Sequence, residues 1–142
     1  MPRAAPVFYA EENSHSGPRP LNKGTIMDYI LQRIAEIEGV TRAILVGKDG
    51  LIVAGATDSS DDEEVLGAMA AACFSAITHY SQEIGSGEMR QTIIESAHGA
   101  LHLTEVGDLI LVVSTQPGVH LGRIRLEMTR ASQHVAERVG SY

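Results

Sequence analysis

Hydrophobic residues recur with a helical period in three separate stretches of the chain. Four isoleucines between positions 26 and 37 follow Thr25, a candidate N-cap, and Gly39 ends this first predicted helix, 26–38. An acidic segment, Asp58 to Glu64, begins a second helix over about 61–84. A third helix, about 119–139, has a predicted buried stripe of five residues: Leu121, Ile124, Met128, Ala131 and Val135.

Five other stretches are rich in aliphatic and β-branched residues, which favours strands. These runs are Thr41–Val46, Leu51–Ala54, Met89–Ser96, Leu101–Val106 and Leu109–Val113. Asp49-Gly50 predicts a hairpin between the first two runs, and short turns make the last three antiparallel. The first two runs do not alternate, so we expect both faces of this hairpin to be covered. The elements predict an α+β fold with one five-stranded antiparallel sheet between helices, in the order α-β-β-α-β-β-β-α.

The first 23 residues differ from the rest of the chain. They contain four of the five prolines and no helical or strand period. We therefore predict a flexible tail over residues 1–23, followed by one domain over 24–142. Val7-Phe8-Tyr9 is the one apolar spot in this tail, and it fits either a disordered arm or a docking motif.

Composition narrows the possible classes of function. The 142 residues are 44% hydrophobic and 20% charged, as in an ordinary soluble domain. The net charge of −7 and the 4% of aromatic residues argue against binding to nucleic acid and to anionic membranes. A single cysteine and a start without an apolar signal segment predict a cytoplasmic protein. The longest apolar stretch, Val65 to Tyr80, is too short to span a membrane.

No combination of residues indicates catalysis, a cofactor or a metal site. The chain lacks the G-x-x-x-x-G-K-[ST] motif of P-loop nucleotidases. His98 and His102 are separated by about 13 Å along a turn and a strand, which is too far for one metal ion. Cys73 lies among alanines, which predicts a buried, unreactive thiol. The acidic segment lacks the glycine and glutamate positions of an EF-hand, and a helix N-terminus explains its charge.

The second helix is the most informative element. At 100° per residue its larger apolar residues fall on one side, which we predict covers the sheet: Val65, Leu66, Met69, Cys73, Ile77, Tyr80 and Ile84. The opposite side has small or uncharged residues: Gly67, Ala68, Ala71, Ala72, Ser75, Thr78, His79 and Gln82. Between Val65 and Gln82 there is no charged residue, although a water-facing helix normally carries Lys and Glu. We interpret the small-residue side as an interface with a second protein surface; the alternative, a helix buried within its own monomer, needs further layers of structure.

The third predicted strand, Met89–Ser96, is more polar than its neighbours, which is typical of an edge strand. Because it directly follows the second helix, we expect both elements to join one two-fold interface, to which Arg90, Thr92 and Ile94 contribute. Two chains would then form one continuous sheet, so the sequence predicts a homodimer.

The order of these elements, with Glu38-Gly39-Val40, the Asp49-Gly50 hairpin and the alanine-rich second helix, resembles the Roadblock family of dynein light-chain-like proteins. The resemblance covers roughly residues 25–138 and leaves the tail outside. It implies a profilin-like fold, no invariant catalytic residues, and dimerisation through the second helix and the third strand. Bacterial members resemble regulators of small Ras-like GTPases, whereas eukaryotic members are scaffolds in motors and in GTPase-anchoring complexes.

We therefore expect a non-enzymatic homodimer that regulates or scaffolds a small Ras-like GTPase. Stimulation of GTP hydrolysis would need an exposed arginine on a mobile element. No arginine stands out in this way, because the candidates lie on predicted strands and on the third helix: Arg42, Arg90, Arg123 and Arg125. A small-molecule sensor or a structural scaffold subunit on the same fold is the alternative, although the dense aliphatic strands argue against the cavity that a sensor needs.

Overall fold

The computed structural model describes residues 7–8, 23–57 and 63–139, and every structural statement below refers to these residues. The helices are α1 (Lys23–Ala35), α2 (Glu63–Glu83) and α3 (Leu121–Val139). The strands are β1 (Val7–Phe8), β2 (Val40–Gly47), β3 (Ile52–Thr57), β4 (Gln91–Ser96), β5 (Gly99–Val106) and β6 (Leu109–Thr115). The predicted order of three helices and five strands is confirmed.

The strands form one antiparallel sheet in the order β1-β3-β2-β6-β5-β4. The predicted α+β architecture of five antiparallel strands with helices on both faces is therefore confirmed. A short additional strand, β1, comes from the segment predicted as a tail and pairs with β3. The other residues of that segment up to Asn22 lie outside the described residues, as do positions 58–62 of the acidic segment.

The β2–β3 hairpin turns at the predicted Asp49-Gly50. Gly50 has a φ of 92°, which a residue with a side chain rarely adopts, and its amide donates a 2.9 Å hydrogen bond to the Gly47 carbonyl. The Asp49 carboxylate accepts a hydrogen bond from the Leu51 amide at 3.0 Å. The pairing register shifts between Leu45 and Val46, so β3 bulges around Val53.

One face of the sheet is covered by α1 and α3 together. Alternate residues of the central strands point into this layer, among them Leu45 of β2 and Val113 of β6. They pack against Leu31 of α1 and against Ile124 and Met128 of α3, all of which are almost completely buried. We refer to this layer as the two-helix face.

The other face of the sheet is covered by α2 alone, and we call it the one-helix face. Its core contains Ala70, Ala71 and Phe74 of α2. The strand residues beneath them are Ile44, Val46, Leu103, Ile110 and Val112. Since Ala43 to Val46 are all buried, the prediction of a strand covered on both faces is confirmed for β2. It is wrong for the other half of the hairpin, where Leu51 and Val53 are exposed because they lie toward the margin of the sheet.

Candidate functional site

α2 is rotated about its own axis, by roughly 120°, from the predicted orientation. Val65, Met69 and Tyr80, assigned to the sheet side by their size, are 54%, 62% and 63% exposed, and Ile84 is also exposed. The residues that face the sheet include Gly67 and Ala71, which the sequence analysis placed in an intermolecular interface. The assignment of the two sides is therefore wrong, and these two residues are buried within the monomer.

The physical reason is the close approach of α2 to its own β2–β3 hairpin. A Cβ added to Gly67 would lie 3.0 Å from Ile52 Cγ1 and 3.1 Å from the Gly50 carbonyl oxygen. A Cβ added to Gly50 would lie 3.1 Å from the Cα of Ala68. Small residues do allow close backbone approach, as the sequence indicated, but the neighbouring backbone belongs to the same chain.

The outward side of α2 is apolar and uncharged. We define the outer face of α2 as Val65, Met69, Ala72, Ala76 and Tyr80, which are all exposed. At 100° per residue these five side chains lie within an arc of roughly 80°. A contiguous exposed apolar stripe of this kind is a candidate interaction surface. Four of the five, all but Ala72, were absent from the predicted interface.

The remaining predicted α2 positions flank this stripe. Ala68, Ser75, His79 and Gln82 are exposed, while Thr78 is half-buried. The His79 imidazole lies 3.7 Å from the Glu83 carboxylate in an exposed pair one turn apart. Their exposure leaves these side chains available to a partner, and their role in an interface stays a prediction.

The predicted edge strand is confirmed, because β4 pairs with β5 on one side and with no described strand on the other. Thr92 and Ile94 lie opposite Leu103 and Leu101 of β5, and Leu103 belongs to the core beneath α2. Paired residues point to the same side of a sheet, so Thr92 and Ile94 share the one-helix face. Ile94 is 38% exposed there, because the contacts of α2 are with β2, β3 and β6.

On the two-helix face, the start of β4 is hydrogen-bonded to α3 and to β5. The Gln91 side-chain amide donates a hydrogen bond to Thr129 Oγ1 at 2.9 Å, and the Thr104 hydroxyl donates one to the Arg90 carbonyl at 2.7 Å. The Arg90 side chain is exposed. These bonds hold the edge strand in place while its outer backbone groups stay open to pairing.

A groove of about 420 Å³ connects the C-terminal half of α2 with the segment that leads into β4. Its walls include Phe74, Thr78, Gln82 and Met89, with Lys48 and Glu105 at one end. Lys48 Nζ and Glu105 Oε2 form a half-exposed ion pair at 2.6 Å. The groove therefore lies between α2 and the segment that precedes β4, on the one-helix face of the sheet.

An ion pair attaches the start of α2 to the sheet. Arg42 Nε of β2 lies 2.8 Å from Glu63 Oε1 at the first turn of α2, and both side chains are largely buried. The helix N-terminus adds favourable partial charge for the Glu63 carboxylate. This contact fixes the N-terminal end of α2, and therefore the direction in which the outer face points.

The residues considered for metal binding or nucleophilic chemistry are dispersed. His98 is exposed in a turn, whereas His102 is 1% exposed and neither of its ring nitrogens has a hydrogen-bond partner among the described residues. Burial lowers the pKa of His102, and the Glu95 carboxylate opposes part of this effect. Cys73 is a half-buried free thiol beside the core of the one-helix face. The described residues contain no group of three or more metal-ligating side chains, and none of their helices is long and apolar enough to cross a membrane.

Comparisons with known proteins identify relatives of this chain. A family model of the Roadblock/LC7 domain matches residues 27–115. The uncharacterized proteins MJ1340 and MJ0310 of Methanocaldococcus jannaschii are each 41% identical over 110 residues, covering 78% of this chain and 96% of each relative.

Solved structures show the same architecture. Myxococcus xanthus MglB superimposes with a TM-score of 0.75 at 25% identity, covering 80% of this chain and 86% of that protein. A Roadblock/LC7 domain from Streptomyces avermitilis has a TM-score of 0.72 at 20% identity, with 79% and 96% coverage, and this likeness concerns the fold. The family match over most of the folded chain, the close relatives and the shared architecture show that this chain belongs to the Roadblock/LC7 family.

Proposed function

We propose that two copies of this chain associate through the outer face of α2 and the β4 edge. The observation that carries the proposal is that α2 covers the sheet over β2, β3 and β6 and leaves the open edge strand β4 uncovered, while its own outer face is apolar and uncharged. Two copies related by a two-fold axis would extend the sheet across β4 and bury the outer faces of both α2 helices. From the predicted interface set we retain Ala68, Ala72, Ser75, Thr78, His79, Gln82, Arg90, Thr92 and Ile94, without the buried Gly67 and Ala71.

We further propose that this homodimer is a non-enzymatic, cytoplasmic regulator or scaffold of a small Ras-like GTPase. Membership of the Roadblock/LC7 family and the likeness to MglB support a role in regulation through protein contacts. Within the described residues the titratable side chains are spread over separate surfaces, without the nucleophile, base and orienting group that an enzyme site combines. Whether the dimer stimulates GTP hydrolysis is decided by the second experiment below.

The dimer is tested by Ala76→Glu, since Ala76 lies at the centre of the outer face and is exposed in the monomer. A carboxylate there would be buried unpaired in the dimer, at a cost of several kcal/mol, but would be tolerated in a monomer. Ala71→Glu is unsuitable, because Ala71 packs in the monomer core. Gln133→Glu on the exposed side of α3 is the matched control, since it adds the same charge to a helix of the other layer.

Light scattering is the readout for both variants. We expect wild type and Gln133→Glu to have about twice the 15.2 kDa chain mass, and Ala76→Glu to have a single chain mass with unchanged circular dichroism. A monomeric wild type, or an Ala76→Glu dimer of unchanged affinity, would contradict the proposed interface.

The partner is tested with purified chain immobilised on beads and cell extract supplemented with a non-hydrolysable GTP analogue or with GDP. We expect a GTP-binding protein of the small Ras-like class to be retained with one nucleotide and not with the other. Phosphate release by that purified GTPase, with and without the chain, then separates stimulation of hydrolysis from scaffolding. Binding that is indifferent to the nucleotide, or a retained set without any GTPase, would exclude the proposed partner.

A further inference from the structure

The two edges of the sheet have very different chemical character. The β4 edge and the residue before it carry Arg90, Gln91 and Glu95, and charged side chains on an edge strand discourage uncontrolled strand pairing. The β3 edge belongs to the segment Leu51–Thr57, which contains no charged residue and no proline. A strand without charge or proline presents its backbone groups as a template for association with other chains when its edge is exposed.

One half of β3 is protected by its own geometry. The bulge around Val53 interrupts regular pairing near the hairpin turn, and a bulge makes an edge a poor template. The other half, from Ala54 to Thr57, keeps regular register with β2 and has no such interruption.

The N-terminal strand covers this regular half. Val7 pairs with Thr57 and Phe8 pairs with Ala56, so β1 lies on the outer side of β3 at the end away from the bulge. Pro6 immediately precedes β1 and has no amide hydrogen to donate to a further strand. Among the described residues, the regular half of the β3 edge is thereby paired at Ala56 and Thr57.

We propose that Val7–Phe8 is an intramolecular cap on the β3 edge, which confines strand pairing between copies of this chain to β4. A chain with two open edges can add copies at both and grow into an open-ended assembly, whereas a chain with one open edge stops at a closed pair. The occupant of the β3 edge is therefore the chain's own N-terminal segment. This inference rests on the proposed pairing of copies at the β4 edge and does not depend on the GTPase partner.

The cap is tested by removing residues 2–10, with removal of residues 2–5 as the control that shortens the chain but keeps Pro6, Val7 and Phe8. We expect the control to have the size distribution of the full chain. We expect the longer deletion to form larger species that grow with protein concentration, measured by light scattering and by thioflavin T fluorescence. An unchanged size distribution after the longer deletion would overturn the proposal.

A second substitution separates an uncapped edge from a general loss of folding. Thr57→Lys in the longer deletion places a charge in the half of β3 with which β1 pairs, which should return the protein to the size of the full chain. Persistence of the larger species in this double variant, with wild-type circular dichroism, would also overturn the proposal. Amide hydrogen exchange at Gly55–Thr57 is the direct readout, and we expect it to become about tenfold faster when β1 is removed.

Discussion

The two faces of the sheet are completed to different extents. On the two-helix face, 16 buried hydrophobic residues form the core among the described residues, whereas the core of the one-helix face contains eight. The outward sides of the helices that cover these two faces also differ, in their charged residues. The exposed positions of α3 include Arg123, Arg125 and Arg130, while those of α2 between Val65 and Tyr80 include no Lys, Arg, Asp or Glu.

This difference indicates which layer of the domain is in water. A charged outer side is what a solvent-exposed helix needs, and α3 has it. The outer face of α2 has the composition of a helix that is covered on both sides, although in the monomer only its inner side is covered. In the proposed dimer a second copy covers the outer face of α2, whereas the charged outer side of α3 stays in water.

The largest expected loss of stability comes from a comparison of two methionines, one in each helix layer. Met128 of α3 is 1% exposed, and Met128→Ala should lower the free energy of unfolding by about 3 kcal/mol through lost burial and a cavity. Met69→Ala on α2 should change the monomer by less than about 0.5 kcal/mol, since the side chain is exposed. Urea unfolding in the Ala76→Glu background holds association constant. Equal losses for both variants would remove the contrast between the faces.

The next effect concerns the ion pair that fixes the start of α2. Arg42→Ala leaves the buried Glu63 carboxylate without its partner and should cost about 2 to 4 kcal/mol. The matched control is Arg130→Ala, which breaks the more exposed pair with Glu127 on α3 and should cost at most about 1 kcal/mol. Denaturant unfolding measures both values. A loss for Arg42→Ala no larger than the control would show that the pair does not hold α2.

A smaller effect compares two helical glycines. Gly67→Ala should destabilise by roughly 1 kcal/mol, because contact with the Gly50 carbonyl outweighs the gain in helix propensity. Gly122→Ala on α3 should stabilise by roughly 0.5 kcal/mol, since the added methyl meets only the flexible side chain of His120. Thermal unfolding distinguishes the two signs. Stabilisation by both substitutions would mean that α2 does not pack tightly on the hairpin.

The smallest effect is a pH dependence that belongs to His102, on the two-helix side of β5. Its pKa is lowered by burial, so the unfolded chain binds a proton at a higher pH than the folded chain does. The stability contributed by the neutral ring is therefore complete above the ordinary histidine pKa of about 6.5 and is lost as the pH falls below it. We expect the free energy of unfolding in urea to depend less on pH between 7.5 and 5.5 in His102→Leu than in wild type. His98→Asn, at an exposed position, is the control and should keep the wild-type pH dependence. If the free energy of unfolding of His102→Leu changed with pH as steeply as that of wild type, the pH dependence would belong to other groups.

Local patterns determined most of the architecture. Isoleucines at helical spacing specify α1, and Asp49-Gly50 with its flanking aliphatic runs specifies the β2–β3 hairpin. Short turns make β4, β5 and β6 antiparallel, and the polarity of β4 identifies it as an edge, because these signals depend on residues that are neighbours in the chain. The absence of charge in α2 predicts that its outer side is covered by a partner, and this stays a prediction.

Only the tertiary structure decided which side of α2 faces the sheet. The buried side of α2 combines Gly67 and two alanines with Phe74, so side-chain size around the helix did not identify it. The distance between Gly67 and the Gly50 carbonyl settles the orientation, and that distance depends on two segments far apart in sequence. The strand β1 is a similar case, since two residues carry no periodicity. Val7–Phe8 becomes a strand because the uncharged edge of β3 provides unpaired backbone groups for it to bind.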